Sequence, residues 1–168
     1  MRPRPPVALI VALVGCDGIE PTPAVPGNEL LLAVQADDYR SWARPPKGAA
    51  KEPLAAGQGP HGAYVDVYVD AVMEEALAAE PGSLAAWPDG ARVVLDGWAA
   101  PEVAPAEGEA PMPTTLLMTA IMERRAGAWY FEEYVDGDAS SPRFHGQPDV
   151  CVGCHAVDGD GLRTVALP

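Results

Sequence analysis

The chain has 168 residues, with 24 Asp or Glu and 11 Lys or Arg, so its formal net charge is −13 at pH 7. This acidic balance argues against a protein that binds nucleic acid or anionic lipid headgroups through a basic patch. The length suits one domain with its own hydrophobic core.

The first fifteen residues have the pattern of an export signal. Arg2 and Arg4 precede an apolar stretch from Val7 to Gly15, which is too short to span a membrane as a helix. The stretch ends in Leu13-Val14-Gly15-Cys16, which resembles the lipobox of bacterial lipoproteins. The resemblance implies cleavage after residue 15, acylation of Cys16, and an exported lipoprotein anchored in a membrane and facing the periplasm or cell surface. The alternative is an ordinary secretory signal followed by a chance cysteine.

The remaining sequence predicts a tether followed by one folded domain. Residues 16–35 include a Pro- and Gly-rich segment typical of a flexible tether, and residues 36–168 form the domain. Asp37 or Asp38 is placed to cap a short helix that covers residues 39–43. Loops are predicted over residues 44–62, 101–113 and 136–148.

Four strands and two further helices are predicted within the domain. Strict alternation of apolar and other residues makes 63–69 the clearest strand. The other predicted strands cover residues 91–98, 114–124 and 129–135. The apolar start of the third strand is equally compatible with a helix. Asp70 is expected to cap a helix over 71–80, and Asp149 to cap a short C-terminal helix. This pattern indicates an α+β fold with a mostly antiparallel sheet and flanking helices.

The C-terminal helix carries Cys151-Val152-Gly153-Cys154-His155, the most specific motif in the chain. A C-x-x-C-H motif binds haem c covalently through its two thiols, and its histidine is an axial ligand of the iron. With Cys16 acylated, all three cysteines are accounted for. The alternative is a zinc site in which His145 supplies a fourth ligand. Export favours haem, because c-type cytochromes receive their haem outside the cytoplasm.

Several short segments accompany the motif in a characteristic order. They are Tyr39-Arg40-Ser41-Trp42, Pro60-His61-Gly62, Val67-Tyr68-Val69-Asp70, Trp87-Pro88-Asp89-Gly90 and Ala128-Trp129-Tyr130-Phe131. Together with the motif, over residues 36–160, they resemble the cytochrome P-460 family, which includes the β-type cytochromes c′. The resemblance implies a sheet of about five antiparallel strands and a homodimer. It also implies a five-coordinate haem with His155 as its proximal ligand and an open distal side.

The resemblance also identifies three residues of the distal pocket. Leu95 stands where the hydroxylamine-oxidising branch of the family has a lysine cross-linked to the porphyrin. Val65 stands in place of an arginine of that branch, and Met118 in place of an expected carboxylate. Such a pocket is apolar and lacks the base that oxidation of an N–O compound requires. The resemblance therefore favours binding or scavenging of NO, or one-electron chemistry, over oxidation of hydroxylamine or another small nitrogen compound.

The sequence leaves a second possibility for the sixth position of the iron. Residues 156–168 contain no Met, His, Lys or Tyr, so a sixth ligand would have to lie before the motif. A thioether from Met118 would give a six-coordinate electron-transfer cytochrome. The other methionine candidates are Met73, Met112 and Met122. His61 is expected to shape its loop or to pack near a propionate, and His145 to be exposed.

Overall fold

The computed structural model of the protein describes residues 27–45, 52–53, 60–79, 86–103, 106, 109, 112–135 and 138–156. The predicted leader and Cys16 lie outside these residues, as do Lys47 and Lys51. Within the described part of the chain, no helix has the length and apolar character needed to cross a membrane.

The described residues form an antiparallel sheet whose strands lie in chain order, together with three α-helices and one 3-10 helix. The strands are β1 (Glu52–Pro53), β2 (Tyr64–Val69), β3 (Arg92–Trp98), β4 (Leu116–Arg125), β5 (Ala128–Val135) and β6 (Phe144–Gly146). The α-helices are α1 (Glu29–Ala36), α2 (Ala71–Ala79) and α3 (Asp149–His155), and the 3-10 helix covers Tyr39–Ser41. The predicted α+β fold, with the C-x-x-C-H motif on a short C-terminal helix, is confirmed.

The predicted strands are all present to within a few residues, because each carries a strong local pattern. The helical alternative for the third strand is wrong, since Leu116–Arg125 is the ten-residue strand β4. The Asp70 cap is confirmed, because its Oδ1 accepts a hydrogen bond from the Met73 N–H at 3.0 Å. The predicted Asp149 cap is wrong, since α3 begins at Asp149 itself and Pro148 precedes it. The expected loop before α3 contains the short strand β6.

Helix α1 occupies residues that the sequence assigned to the tether. Its buried residues are Leu30, Leu31 and Val34. The helix has no local side-chain cap; instead, Glu132 on β5 accepts hydrogen bonds from the N–H groups of Leu30 and Leu31, both at 2.9 Å. The Tyr134 hydroxyl donates to the same carboxylate at 2.7 Å. The packed part of the chain therefore includes α1 and begins before residue 36.

The sheet separates two hydrophobic cores. The α1 face is covered by α1 and the 3-10 helix. Its core residues are Leu30, Leu31, Val34, Tyr39, Tyr68, Val94, Ile121 and Tyr134. The opposite side, the α3 face, is contacted by α2 and by Cys151 of α3. Its core residues are Val65, Val67, Val69, Met73, Trp87, Ala91, Val93, Met122, Trp129 and Phe131. Strand alternation thus gives β2 to β5 two buried sides.

Two buried aspartates stabilise the α1 face. Asp96 accepts hydrogen bonds from the Tyr39 hydroxyl at 3.1 Å and the Thr119 hydroxyl at 2.8 Å, and Arg40 pairs with it at 3.1 Å. Burial raises the pKa of Tyr39, and the adjacent Asp96 charge adds to the shift. The phenol therefore stays protonated and serves as a donor. The second aspartate, Asp66, accepts hydrogen bonds from the Arg44 guanidinium and from the indole N–H of Trp98 on β3.

A glycine in β3 allows the turn at residues 60–62 to lie against the sheet. A Cβ atom at Gly97 would overlap the carbonyl oxygen of His61 and would lie 2.8 Å from Cγ of Met118. The Ala63 N–H donates to the Trp98 carbonyl at 2.8 Å, directly after the turn. Because Gly97 has no side chain, the turn that carries His61 can lie directly against β3.

Removal of the Glu132 carboxylate is expected to release α1 from the sheet. Glu132→Ala leaves two helix N–H groups and one hydroxyl without their buried acceptor, so the free energy of unfolding should fall by about 3 kcal/mol. Glu132→Gln keeps one acceptor oxygen and should lose roughly half as much. Urea unfolding followed by far-UV circular dichroism measures both. The control is Glu75→Ala at an exposed position of α2; equal stability of Glu75→Ala and Glu132→Ala would contradict this role.

Gly97→Ala is expected to push the 60–62 turn away from β3. The new methyl group meets a backbone oxygen that cannot rotate away, so we expect a loss of about 2 kcal/mol in unfolding free energy. The Ala63 amide should also exchange its hydrogen faster, because its bond to Trp98 weakens. Gly153→Ala is the control, since its added Cβ meets no heavy atom within 4 Å apart from those of its chain neighbours and its own helix backbone. Unchanged Ala63 exchange in Gly97→Ala would show that the turn does not depend on this contact.

Candidate functional site

Helix α3 presents the reactive side chains of the motif on one side. Cys151, Cys154 and His155 are spaced i, i+3 and i+4, which places them along one side of a helix. All three are partly buried, whereas Val150 and Val152 are 60% and 39% exposed. Cys151 packs against the core of the α3 face, and the two cysteines form no disulfide. Both thiols and the imidazole thus lie on one side of one helix beside the sheet.

Two side chains carried by the sheet and the 60–62 turn lie beside His155. The ring centre of Phe131, on β5, is 5.3 Å from that of His155. The ring centre of His61 is 6.4 Å from that of His155, and the two imidazole planes are inclined by 59°. Phe131 is buried in the core of the α3 face. The motif histidine therefore lies close to both an aromatic ring and a second imidazole.

His61 faces a buried carboxylate. Its Nδ1 is buried without a hydrogen-bond partner and lies 3.8 Å from Oε2 of Glu133. Burial lowers the pKa of His61 to about 4, and the nearby His155 imidazole adds to the decrease. Burial also raises the pKa of Glu133, while Arg143, at 3.4 Å, acts in the opposite direction. The imidazole is therefore neutral near pH 7.

Burial also affects the first thiol of the motif. It raises the pKa of Cys151, and the charge of nearby Glu133 acts in the same direction. The thiol is therefore protonated at neutral pH and has little of the thiolate character of a reactive cysteine.

The three predicted pocket residues lie on the same face of the sheet as the motif. Val65 pairs with Gly97, and Gly97 pairs in turn with Met118. Leu95 lies two residues from Gly97 on the same side of β3. Val65 and Met118 are buried, and Leu95 packs against the core that Cys151 also contacts. The structure therefore brings these residues to the α3 face, and their role as pocket residues remains a prediction.

The sequence interpretation missed the polar side of this region. Glu133 lies in one cross-strand row with Leu95, through Ala120 of β4, so a carboxylate reaches a face that was expected to be apolar. The signal was present in the sequence: consecutive glutamates in a strand must face opposite sides of a sheet. Glu132 faces α1, so Glu133 faces the motif. His61, expected to shape its loop or to pack near a propionate, lies beside the same carboxylate.

The alternative ligand sets gain no support from the geometry. Met73 and Met122 are buried in the core of the α3 face, and Met112 is 79% exposed. His145 is exposed on β6, with its ring against the backbone of Gly27. Among the residues that the structure describes, no three or more His, Cys, Asp or Glu side chains are grouped to hold a metal ion. The zinc interpretation therefore has no set of four ligands here.

A separate cavity lies on the α1 face, on the other side of the sheet from the motif. Tyr39, Thr119 and Tyr134 contribute to its lining. Their hydroxyls already donate to Asp96 or Glu132. These three hydroxyls therefore take part in hydrogen bonds that stabilise the fold.

The side chains near α3 fit a haem group. Two thiols on one helix side match the two vinyl groups of haem, and an imidazole beside them is the usual iron ligand. The α3 face supplies apolar surface for a flat porphyrin, and the unpaired Nδ1 of His61 shows that this region has polar capacity that the protein alone does not satisfy.

Comparison with known proteins gives a family assignment. No curated protein matches the chain at a significant level. The family model for cytochrome P460 matches residues 36–160, about three quarters of the chain. The match includes all the described strands, the turn that carries His61, and the C-x-x-C-H motif. The predicted family is confirmed, and with it a haem-binding cytochrome in general. This chain belongs to the cytochrome P460 family.

Proposed function

We propose that this protein is an exported mono-haem cytochrome in which Cys151 and Cys154 bind haem c covalently and His155 is the proximal ligand of the iron. One observation carries this proposal: the three side chains share one side of α3 and adjoin the apolar α3 face of the sheet. The family assignment supports the haem itself. When bound, haem supplies an iron that exchanges one electron and accepts a small ligand opposite the proximal histidine.

We further propose that the ligand is NO or a similar small diatomic, bound at five-coordinate iron, with scavenging or one-electron redox chemistry as the result. Val65, Leu95 and Met118 place aliphatic or thioether side chains on the face beside the motif. A neutral diatomic molecule enters such surroundings without the large desolvation penalty that a charged molecule would experience. Leu95 also lacks the amine that a lysine–porphyrin cross-link requires.

The membrane association is proposed to rest on Cys16. The N-terminal pattern supports export and acylation of this residue, so the lipid would hold the domain at the periplasmic or cell surface. The net charge of −13 disfavours direct binding of the domain to anionic headgroups. The family resemblance supports a homodimer.

Oxidation of hydroxylamine or a related nitrogen compound is the second candidate, because one observation favours it. Glu133 lies beside His61, which in turn lies beside His155, and a carboxylate is able to accept the protons that this oxidation releases. The earlier reason for rejecting an enzyme, a pocket without a base, therefore no longer holds. The remaining argument against it is Leu95, together with the fact that the described residues include no lysine.

Covalent attachment is expected at both cysteines of α3. Exported protein, made in a bacterium that matures c-type cytochromes, should show a haem-sized mass increment on the peptide that contains residues 151–155. The double variant Cys151→Ala, Cys154→Ala should lose this increment, because no thiol remains to form a thioether. Cys16→Ser is the control and should keep haem while losing the acyl mass. Wild-type protein without haem would refute the proposal.

Ligand binding separates the two candidate functions. The ferrous protein is expected to bind NO with a shift of its haem absorption, and the protein should not reduce an artificial electron acceptor when hydroxylamine is added. Hydroxylamine turnover that falls about 100-fold in Glu133→Gln would instead support the enzyme, since this is the usual effect of losing a general base. Glu75→Gln, at an exposed position of α2, controls for a general effect of charge.

A further inference from the structure

Two side-chain donors on the α3 face have no acceptor. The indole Nε1–H of Trp87 and the Nε–H of Arg124 are both buried, and neither has a hydrogen-bond partner among the residues that the structure describes. Trp87 is only 5% exposed and belongs to the core of the α3 face. Such donors are rare in native proteins, because each loses its hydrogen bonds to water and gains none in return. The two donors therefore indicate an acceptor from outside the described chain.

Backbone hydrogen bonds bring the segments of the two donors to the same end of the sheet. The Arg124 N–H donates to the Ala91 carbonyl at 2.9 Å, and the Arg124 carbonyl accepts from the Gly90 N–H at 2.8 Å. The Ala91 N–H donates in turn to the Pro88 carbonyl at 3.2 Å. The turn that directly follows Trp87 is thus attached to the end of β4, beside Arg124.

The Arg124 side chain faces the α3 side of the sheet and has no counter-charge there. It lies two residues after Met122, a core residue of that face, so strand alternation places both on one side. Its guanidinium carbon is 5.6 Å from the ring centre of Trp129, which belongs to the same core. No described carboxylate pairs with Arg124, whereas the neighbouring Arg125 pairs with Glu123 at 2.7 Å. A cation against apolar surface is costly without an anion.

This donor pair lies near the motif helix. Trp129 and Phe131 are two residues apart on the same side of β5, which is a separation of about 7 Å. The ring of Phe131 lies 5.3 Å from that of His155. Directly before α3, the Gln147 side chain donates to the Trp129 carbonyl at 3.2 Å. Arg124 therefore stands over the strand position next to the one that contacts the motif histidine.

The missing acceptor is best supplied by a carboxylate of the haem. A haem carries two propionates, which are the only anionic groups it brings to the α3 face. A guanidinium binds a carboxylate through charge-assisted hydrogen bonds, and an indole N–H adds one neutral donor. An anion from solvent is disfavoured, because the net charge of −13 lowers the concentration of anions near the protein.

We propose that Trp87 and Arg124 form the binding site for a haem propionate, and that the Arg124 charge raises the reduction potential of the iron. This inference rests on the haem site proposed above and leaves the iron five-coordinate. A positive charge nearby disfavours the ferric state, since that state carries one more positive charge than the ferrous state. Both residues therefore hold the porphyrin and tune its iron without touching the iron.

The reduction potential of the protein with its covalent haem tests the charge. Arg124→Gln should have a lower potential, so that the ratio of ferric to ferrous protein at a fixed applied potential rises about fivefold. Arg124→Lys keeps the charge and should restore most of the wild-type ratio. The matched control is Arg125→Gln, which removes the same charge from the adjacent residue. Arg125 stacks on Tyr130, beside the core of the opposite face, so this variant should keep the wild-type ratio.

Resonance Raman spectra of the haem test the contact itself. The bending mode of a haem propionate responds to the hydrogen bonds that the carboxylate accepts. This mode should shift in Arg124→Gln and in Trp87→Phe, which keeps an aromatic ring in the core but removes the N–H. It should not shift in Arg125→Gln. If Trp87→Phe does not fold, the comparison of Arg124→Gln with Arg125→Gln still decides the role of Arg124.

The outcomes separate this inference from the proposed function. An unchanged potential and an unchanged propionate mode in Arg124→Gln would overturn the inference and would indicate that water satisfies these donors. Equal shifts in Arg124→Gln and Arg125→Gln would reveal a general effect of charge and would also overturn it. In both cases, covalent haem that binds NO would still support the proposed function. Wild-type protein without haem would refute the inference and the proposed function together.

Discussion

The structure depends on two adjacent carboxylates in β5 that face opposite sides of the sheet. Glu132 accepts hydrogen bonds from two buried N–H groups at the start of α1 and so attaches that helix to one face. Glu133 reaches the other face beside His61 and the motif helix. A buried carboxylate is costly unless donors surround it, and Glu132 meets this condition with three hydrogen bonds. Glu133 has a looser environment, which suits a group that acts on a neighbour.

This division places the buried hydrogen-bond networks on one side of the sheet and the C-x-x-C-H motif on the other. The α1 face holds its buried aspartates with tyrosine, threonine and arginine donors. The α3 face has a largely apolar core, and Glu133 and His61 form a polar pair beside it. Hydrogen bonds and ion pairs on the α1 face stabilise the strands whose other side adjoins His61, where one imidazole nitrogen has no hydrogen-bond partner. Polar groups left unsatisfied in a native protein commonly mark such functional positions.

Much of the fold could be predicted from the sequence, because β2 to β5 and the Asp70 cap depend on neighbouring residues. The motif on α3 is also local, since helical spacing alone places Cys151, Cys154 and His155 on one side. Helix α1 escaped prediction because its cap is supplied by Glu132, 101 and 102 residues away along the chain. The short strand β6 escaped because three residues carry too little periodicity to distinguish a strand from a loop.

The sequence by itself determined the class of protein, because its C-x-x-C-H motif and short segments follow the order of the cytochrome P460 family. It also placed Val65, Leu95 and Met118 on strands. Only the tertiary structure decided what stands beside His155. His61 precedes it by more than ninety residues, and the two rings meet because Gly97 admits the 60–62 turn to the sheet. Local patterns fix which side of a strand a residue faces, whereas contacts between distant segments depend on register and on close backbone approach.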